Sequence, residues 1–147
     1  MGEREEGQGG AEGGAVILLV EDNPSNQAVA LQQLARLGLR ADVAGTGQEA
    51  VERLSREGHG YEVVLMDCQM PEMDGFQATR VVRALEVQRG ERVTIVAMTA
   101  QALKGDRERC LAAGMDDYLS KPVRIDDLRE ALARWLRFTD NMRKGKA

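Results

Sequence analysis

Four short apolar runs, each followed at once by a polar side chain, most constrain how this chain can fold. These polar residues are Glu21 and Asp22 after the run 15–20, Asp67 after 63–66, Thr99 after 93–98 and Lys121 after 118–120. Each run is short and almost wholly apolar, which is typical of a parallel strand covered by helices on both faces. If the strands are neighbours, their polar residues meet at one edge of the sheet, where open α/β sheets place their sites. Three carboxylates, a hydroxyl and an ammonium there would suit a divalent cation and a phosphoryl group.

Segments with helical signals alternate with these runs. Asn23 is an N-cap followed by proline, and the helix it opens ends near Gly38. Residues 46–49 form a capping box for a short helix to about residue 55, and Asp74 caps a helix to about residue 87. Further helices are predicted near residues 106–113 and along an apolar stripe from Ile125 to Leu136, and residues 39–44 alternate as an edge strand would. Five strands alternating with five helices predict a doubly wound α/β fold with a parallel sheet.

The chain of 147 residues fits one domain between two polar ends. Residues 1–14 contain six glycines and four glutamates and, apart from Met1, no large apolar residue that could build a core. We therefore expect a flexible leader or linker at 1–14, a folded domain at 15–138 and a flexible tail at 139–147.

Charge and composition argue against several classes of partner. The net charge is −4, which favours neither nucleic acid nor an anionic membrane surface. No apolar stretch approaches the length of a membrane span and no signal-peptide core is present, so we expect a cytoplasmic location without membrane contact by this chain itself. The two cysteines, Cys68 and Cys110, lack metal-ligand spacing and are interpreted as reduced packing residues rather than a disulfide.

Four motifs resemble those of response-regulator receiver domains. They are Val20-Glu21-Asp22-Asn23, the segment Met66-Asp67-Cys68-Gln69-Met70-Pro71-Glu72-Met73-Asp74-Gly75, Met98-Thr99-Ala100 and Lys121-Pro122. Their order and spacing match over roughly residues 15–137. The chain looks most like the receivers attached to hybrid sensor histidine kinases. The resemblance implies a flavodoxin-like fold with the strand order 2-1-3-4-5.

The resemblance also implies the roles of the residues at the sheet edge. Asp67 is expected to be the phosphoacceptor, because in-line attack on phosphorus needs mainly positioning and charge neutralisation. Glu21, Asp22 and Asp67 are expected to hold Mg²⁺ together with the backbone carbonyl of Gln69. Glu21 stands where many receivers have Asp, and its extra methylene leaves open whether it binds directly or through water. Lys121 is expected to pair with the acceptor carboxylate and later with a phosphoryl oxygen.

A second set of implied roles concerns the response to phosphorylation. Thr99 resembles the switch hydroxyl and Tyr118 the switch aromatic. Gln69 and Gln101 occupy the positions that tune hydrolysis in the family. The resemblance also implies a cis peptide bond between Lys121 and Pro122.

We therefore expect a phosphoacceptor domain of a two-component phosphorelay. Its partners would be a sensor histidine kinase or a histidine phosphotransfer protein. His59, the single histidine, lies in a Gly-His-Gly turn and is interpreted as a loop residue. We accordingly expect neither a kinase core nor a DNA-binding output domain in this chain, and no independent enzyme activity beyond self-catalysed phosphoryl transfer and hydrolysis.

Other classes of protein remain open at this point. A stand-alone response regulator would carry the same motifs. A small Mg²⁺-dependent phosphatase with an aspartyl-phosphate intermediate would carry its nucleophile after the first strand, where this chain has Glu-Asp-Asn. A non-phosphorylated interaction module would not need Asp67, Asp22 and Lys121, and a flavin-binding protein would need a hydroxyl-rich phosphate loop in place of Glu21 and Asp22.

Overall fold

The alternating apolar and amphipathic segments fold as alternating strands and helices. The computed structural model describes residues 15–100 and 104–137, so the predicted leader at 1–14 and the predicted tail at 139–147 lie outside the described residues. The elements are β1 Ile17–Val20, α1 Pro24–Arg36, β2 Ala41–Ala44, α2 Gly47–Leu54, β3 Val63–Asp67, α3 Gly75–Arg89, β4 Thr94–Thr99, α4 Lys104–Ala113, β5 Asp117–Ser120 and α5 Ile125–Trp135.

The strands form one parallel sheet in the order β2-β1-β3-β4-β5. Ile17 of β1 lies opposite Ala41 of β2 on one side and opposite Val63 of β3 on the other. The predicted strand order is confirmed. β2 and β3 lie on opposite sides of β1, so the strand order reverses between β1 and β3. The carboxyl ends of these two strands flank that point, which is where such folds bind ligands.

Two apolar layers cover the sheet, one on each face. Leu18 and Val20 face the layer built with α2, α3 and α4, whereas Ile17 and Leu19 face the layer built with α1 and α5. All four β1 side chains are completely buried. The apolar runs are therefore continuous because both strand faces point into a core.

The helix ends follow the predicted caps, with small differences in length. Asn23 accepts hydrogen bonds from two backbone N–H groups in the first turn of α1. Helix α3 extends two residues beyond the predicted end, because the first residue in a left-handed conformation is Gly90, at φ 69°. The predicted capping box at residues 46–49 forms only in half. Thr46 accepts from the Glu49 N–H, but the Glu49 carboxylate accepts from Gly45 instead of Thr46.

The helices in the described parts of the chain are short. The longest, α3, has 15 residues, and none of those in the ranges 15–100 and 104–137 has both the length and the apolar character needed to cross a bilayer.

Candidate functional site

Strands β1 and β3 bring three acidic side chains to one edge of the sheet. Glu21 and Asp22 follow β1 directly, and Asp67 is the last residue of β3. Each contributes a carboxylate oxygen to a group whose members all lie within 4.8 Å of one another. Glu21 and Asp67 are buried, whereas Asp22 is exposed. Oxygen ligands at this spacing fit a small divalent cation such as Mg²⁺, which takes one or two carboxylates and keeps several waters.

Lys121 provides a positive charge between two of these acids. Its Nζ lies 3.1 Å from Glu21 Oε1 and 3.0 Å from Asp67 Oδ1. The bond to Pro122 is cis, as the resemblance implied. The two carboxylates raise the pKa of Lys121 although burial lowers it, so the ammonium stays charged and compensates part of the acidic cluster.

The first turn of α1 fixes the position of Glu21. Glu21 Oε2 accepts from the Asn23 N–H at 3.2 Å and from Asn26 Nδ2 at 3.4 Å. Its main-chain oxygen accepts from Gln27 Nε2 at 2.6 Å. Burial raises the pKa of Glu21, but Lys121 and these donors together hold it below the usual value. The sequence interpretation missed Asn26 and Gln27, although their place in the first turn of the helix after β1 could have indicated that they reach back toward the acids.

The charge of Asp67 is compensated only in part, and its pKa is raised. Burial raises the pKa of Asp67 to about 6, although the Gln69 N–H and Lys121 both favour its charged form, and the neighbouring charge of Glu21 adds to the increase. The Gln69 N–H donates to Asp67 Oδ1 at 3.1 Å. A cation added beside Asp67 would therefore stabilise a carboxylate that the protein alone stabilises poorly.

A glycine allows α3 to begin close to Asp67. A Cβ on Gly75 would lie 2.4 Å from the Asp67 carbonyl oxygen, so a side chain at this position does not fit. The Gly75 N–H donates to the Cys68 carbonyl at 3.2 Å. Residues 68–74 are thereby held as a tight loop beside the acid, and this loop carries Gln69, whose carbonyl is the fourth predicted ligand.

Thr99 and Tyr118 lie beside this cluster on β4 and β5. Thr99 ends β4 and is buried, and its Oγ1 lies 3.5 Å from Asp106 Oδ2. Tyr118 is half-buried on the edge strand β5, opposite Ala97, and packs against the layer of α2–α4. The fourth residue of the predicted switch and hydrolysis set, Gln101, lies outside the described residues.

A cleft opens next to the cluster, between the β3–α3 loop and α4. Its volume is about 330 Å³. The residues that line this cleft include Cys68, Gln69, Phe76, Thr99, Asp106 and Arg109. The structure thus brings Glu21, Asp22, Asp67 and Lys121 together and places Thr99 at the wall of an adjoining cleft.

Comparison with known proteins identifies one family. Residues 17–133 match the family model described as the response regulator receiver domain. The hybrid signal transduction protein dokA of Dictyostelium discoideum is 43% identical over 125 residues, which cover 85% of this chain and 7% of that protein. The chain spans between 3% and 17% of the length of eight curated relatives that it matches.

Two solved structures extend this likeness to the fold. The receiver domain of the sensor histidine kinase PA1611 from Pseudomonas aeruginosa, which has a magnesium ion in its active-site cleft, is 50% identical. The match covers 81% of this chain and 94% of that one, with a TM-score of 0.71. The second is a co-crystal structure of the Saccharomyces cerevisiae histidine phosphotransfer protein Ypd1 with the receiver domain of its response regulator Ssk1. The matched chain in that structure has 35% sequence identity to this one. The match covers 81% of this chain and 86% of that one, with a TM-score of 0.75.

Proposed function

The chain belongs to the family of response regulator receiver domains, and from this premise we propose that Asp67 is its phosphoacceptor. The observation that carries the proposal is the setting of Asp67. It is a buried carboxylate with an ammonium at 3.0 Å, in a cluster with two further acids. This is an arrangement for neutralising the charge of an incoming phosphoryl group.

In the proposed reaction, an Asp67 carboxylate oxygen attacks the phosphorus of a phosphohistidine. The new O–P bond forms as the P–N bond breaks, and the electron pair stays on the histidine nitrogen of the donor. Asp67 stays oriented through the Gln69 N–H, and Lys121 can follow the charge from the carboxylate to a phosphoryl oxygen. Glu21, Asp22, Asp67 and the Gln69 carbonyl would hold Mg²⁺, which supplies charge neutralisation at the phosphoryl oxygens.

We also propose the conformational response. Thr99 would donate to a phosphoryl oxygen, and its shift toward Asp67 would give Tyr118 room to turn inward beside β4. Gln69 and Gln101 would set the rate of hydrolysis by orienting or blocking a water. The negative charge of the phosphoryl group would thus shift the equilibrium between two packing arrangements of Thr99 and Tyr118.

The parent protein is proposed to be a hybrid sensor histidine kinase acting in the cytoplasm. The support is that three relatives are named as hybrid signal transduction histidine kinases and that this chain spans only a small part of each. A histidine phosphotransfer protein is the proposed partner, by analogy with the Ypd1 complex.

Phosphorylation of the purified chain tests the proposal. With Mg²⁺, acetyl phosphate or a phosphorylated phosphotransfer protein should add one phosphoryl group that hydroxylamine removes, as an acyl phosphate requires. Chelation of Mg²⁺ and the variant Asp67→Asn should each abolish the adduct in intact-mass spectra. If Asp67→Asn accepts an equally labile group at the same rate, Asp67 is not the acceptor.

A further inference from the structure

The hydroxyl of Thr99 is bound by a carboxylate that the proposed phosphotransfer reaction does not use. Thr99 Oγ1 donates a hydrogen bond to Asp106 Oδ2 at 3.5 Å. Asp106 lies in the first turn of α4, and its side chain is only 16% exposed. Both residues line the cleft of about 330 Å³ beside Asp67. The contact therefore joins the end of β4 to the start of α4, next to the candidate acceptor.

A cation one helical turn further along α4 helps to orient the Asp106 carboxylate. Arg109 Nη1 lies 3.9 Å from Asp106 Oδ1, so the two carboxylate oxygens face different partners. The guanidinium carbon of Arg109 lies 4.4 Å from the centre of the Phe76 ring, and this cation–π contact with α3 restricts where the guanidinium can lie. Contacts within α4 and with α3 thus keep Asp106 in the position from which it binds Thr99.

The two ends of α4 are anchored to different degrees. Just beyond the carboxyl end, Arg83 Nε donates to the Gly114 carbonyl at 2.8 Å. Among residues 105–113, only Cys110 and Ala113 are buried, and both lie in the second half of the helix. A segment with little buried apolar surface moves at a lower cost in free energy than the central strands do. The start of α4 is therefore the end that can move, and its contact with β4 opposes that movement.

We propose that Asp106 is a positioning residue that holds Thr99 in the unphosphorylated chain and so opposes the switched state, in which Thr99 donates to a phosphoryl oxygen. A hydroxyl has one proton to donate, so Thr99 must release Asp106 before it makes the new hydrogen bond. This inference rests on the proposed function. Phosphorylation favours the exchange because it adds negative charge and three acceptor oxygens at Asp67. Once released, the start of α4 moves while its carboxyl end stays fixed.

Removing the Asp106 carboxylate should make phosphorylation of the full chain faster. Asp106→Ala should increase the rate with acetyl phosphate and Mg²⁺ about fivefold, because more of the chain starts in the conformation that the phosphoryl group stabilises. Fivefold corresponds to about 1 kcal/mol, the typical net contribution of one hydrogen bond. Asp106→Asn keeps the shape but removes the charge, so it should give a smaller increase. Glu108→Ala is the matched control, because it removes an exposed carboxylate from the same helix, and it should leave the rate unchanged.

The side-chain conformation of Thr99 gives a second readout, which does not require phosphorylation. Three-bond NMR couplings to the Thr99 methyl carbon measure the distribution of its χ1 angle in the unphosphorylated chain. Asp106→Ala should change these couplings, whereas Glu108→Ala should not. A double-mutant cycle then tests whether Asp106 acts through the hydroxyl. In the Thr99→Val background, Asp106→Ala should no longer accelerate phosphorylation, because no hydrogen bond remains to be released.

Unchanged Thr99 couplings in both Asp106 variants would overturn the proposal. Equal acceleration by Asp106→Ala with and without the Thr99 hydroxyl would overturn it as well, because Asp106 would then act by another route. If Asp106→Ala does not fold, the same two readouts on Asp106→Asn decide. Failure of Asp67 to accept a phosphoryl group in every variant would refute the proposed function, whereas the couplings would still decide whether Asp106 holds Thr99.

Discussion

At the scale of single residues, the charge of Asp67 lowers the folding stability of the metal-free protein. Burial raises the pKa of Asp67 from 3.8 to about 6, so the folded protein binds this proton more tightly than the unfolded chain does. A raised pKa contributes stability that is fully present below about pH 4 and is lost as the pH rises through about 6. The protein therefore loses folding stability at neutral pH in order to keep the proposed phosphoacceptor ionised.

Removing that charge should stabilise the metal-free fold. In the presence of a chelator at pH 7, Asp67→Asn should raise the free energy of unfolding by on the order of 1–3 kcal/mol. At pH 4 the gain should largely disappear, because the wild-type carboxyl is then protonated. Urea unfolding at both pH values measures this difference. The exposed-site control Glu52→Gln should change little, and an Asp67→Asn variant that is less stable at pH 7 would contradict the argument.

The two acids after β1 should contribute unequally to Mg²⁺ binding. Both carboxylate oxygens of Glu21 already have partners in Lys121, Asn23 and Asn26, whereas Asp22 is exposed. Glu21→Ala should weaken Mg²⁺ binding by about tenfold, as loss of an outer-shell partner does, and Asp22→Ala should weaken it more. Calorimetric titration measures both, with Glu52→Ala as the control for one lost surface charge. Equal losses in the two variants would reject the predicted order.

At the scale of elements, the start of α3 determines how closely the β3–α3 loop can approach the site. Gly75→Ala would place a Cβ 2.4 Å from the Asp67 carbonyl and should cost on the order of 3 kcal/mol of stability, besides weakening phosphorylation. Gly105→Ala is the matched control, since no described atom other than those of its neighbours and its own helix backbone lies within 4 Å of the added Cβ. That variant should be neutral or up to about 1 kcal/mol more stable. Chemical unfolding measures both, and equal effects would contradict the steric argument.

The extent of the elements was predictable where local signals mark their ends. The strand Asp117–Ser120 lies where the sequence predicts it, and Asn23 and Asp74 cap α1 and α3 as expected. Helix α3 continues past the last apolar residue, Val87, and ends at Arg89. It ends there because Gly90 adopts the left-handed conformation that terminates a helix. The Glu49 carboxylate accepts a hydrogen bond from the Gly45 N–H and not from the Thr46 N–H, which a capping box would require. The path of the chain before α2 brings the Gly45 N–H within reach.

At the scale of the whole molecule, charge argues against binding to nucleic acid. The net charge is −4, so the chain lacks the electrostatic contribution that dominates affinity for phosphate backbones. We expect no sequence-specific gel shift by the isolated chain at any salt concentration. A salt-sensitive shift that one DNA sequence produces and a scrambled one does not would overturn this expectation.

The sequence alone determined the fold class and which edge of the sheet carries the acids. Apolar runs specify buried strands, and parallel neighbours must present the polar residues at or just after their ends, namely Glu21, Asp67 and Thr99, at a common edge. Only the tertiary structure decided how those groups meet. The ammonium of Lys121 lies between the carboxylates of Glu21 and Asp67, two positions that are far from it in the chain. Such contacts depend on how helices and loops pack over the sheet, which local periodicity and caps do not encode.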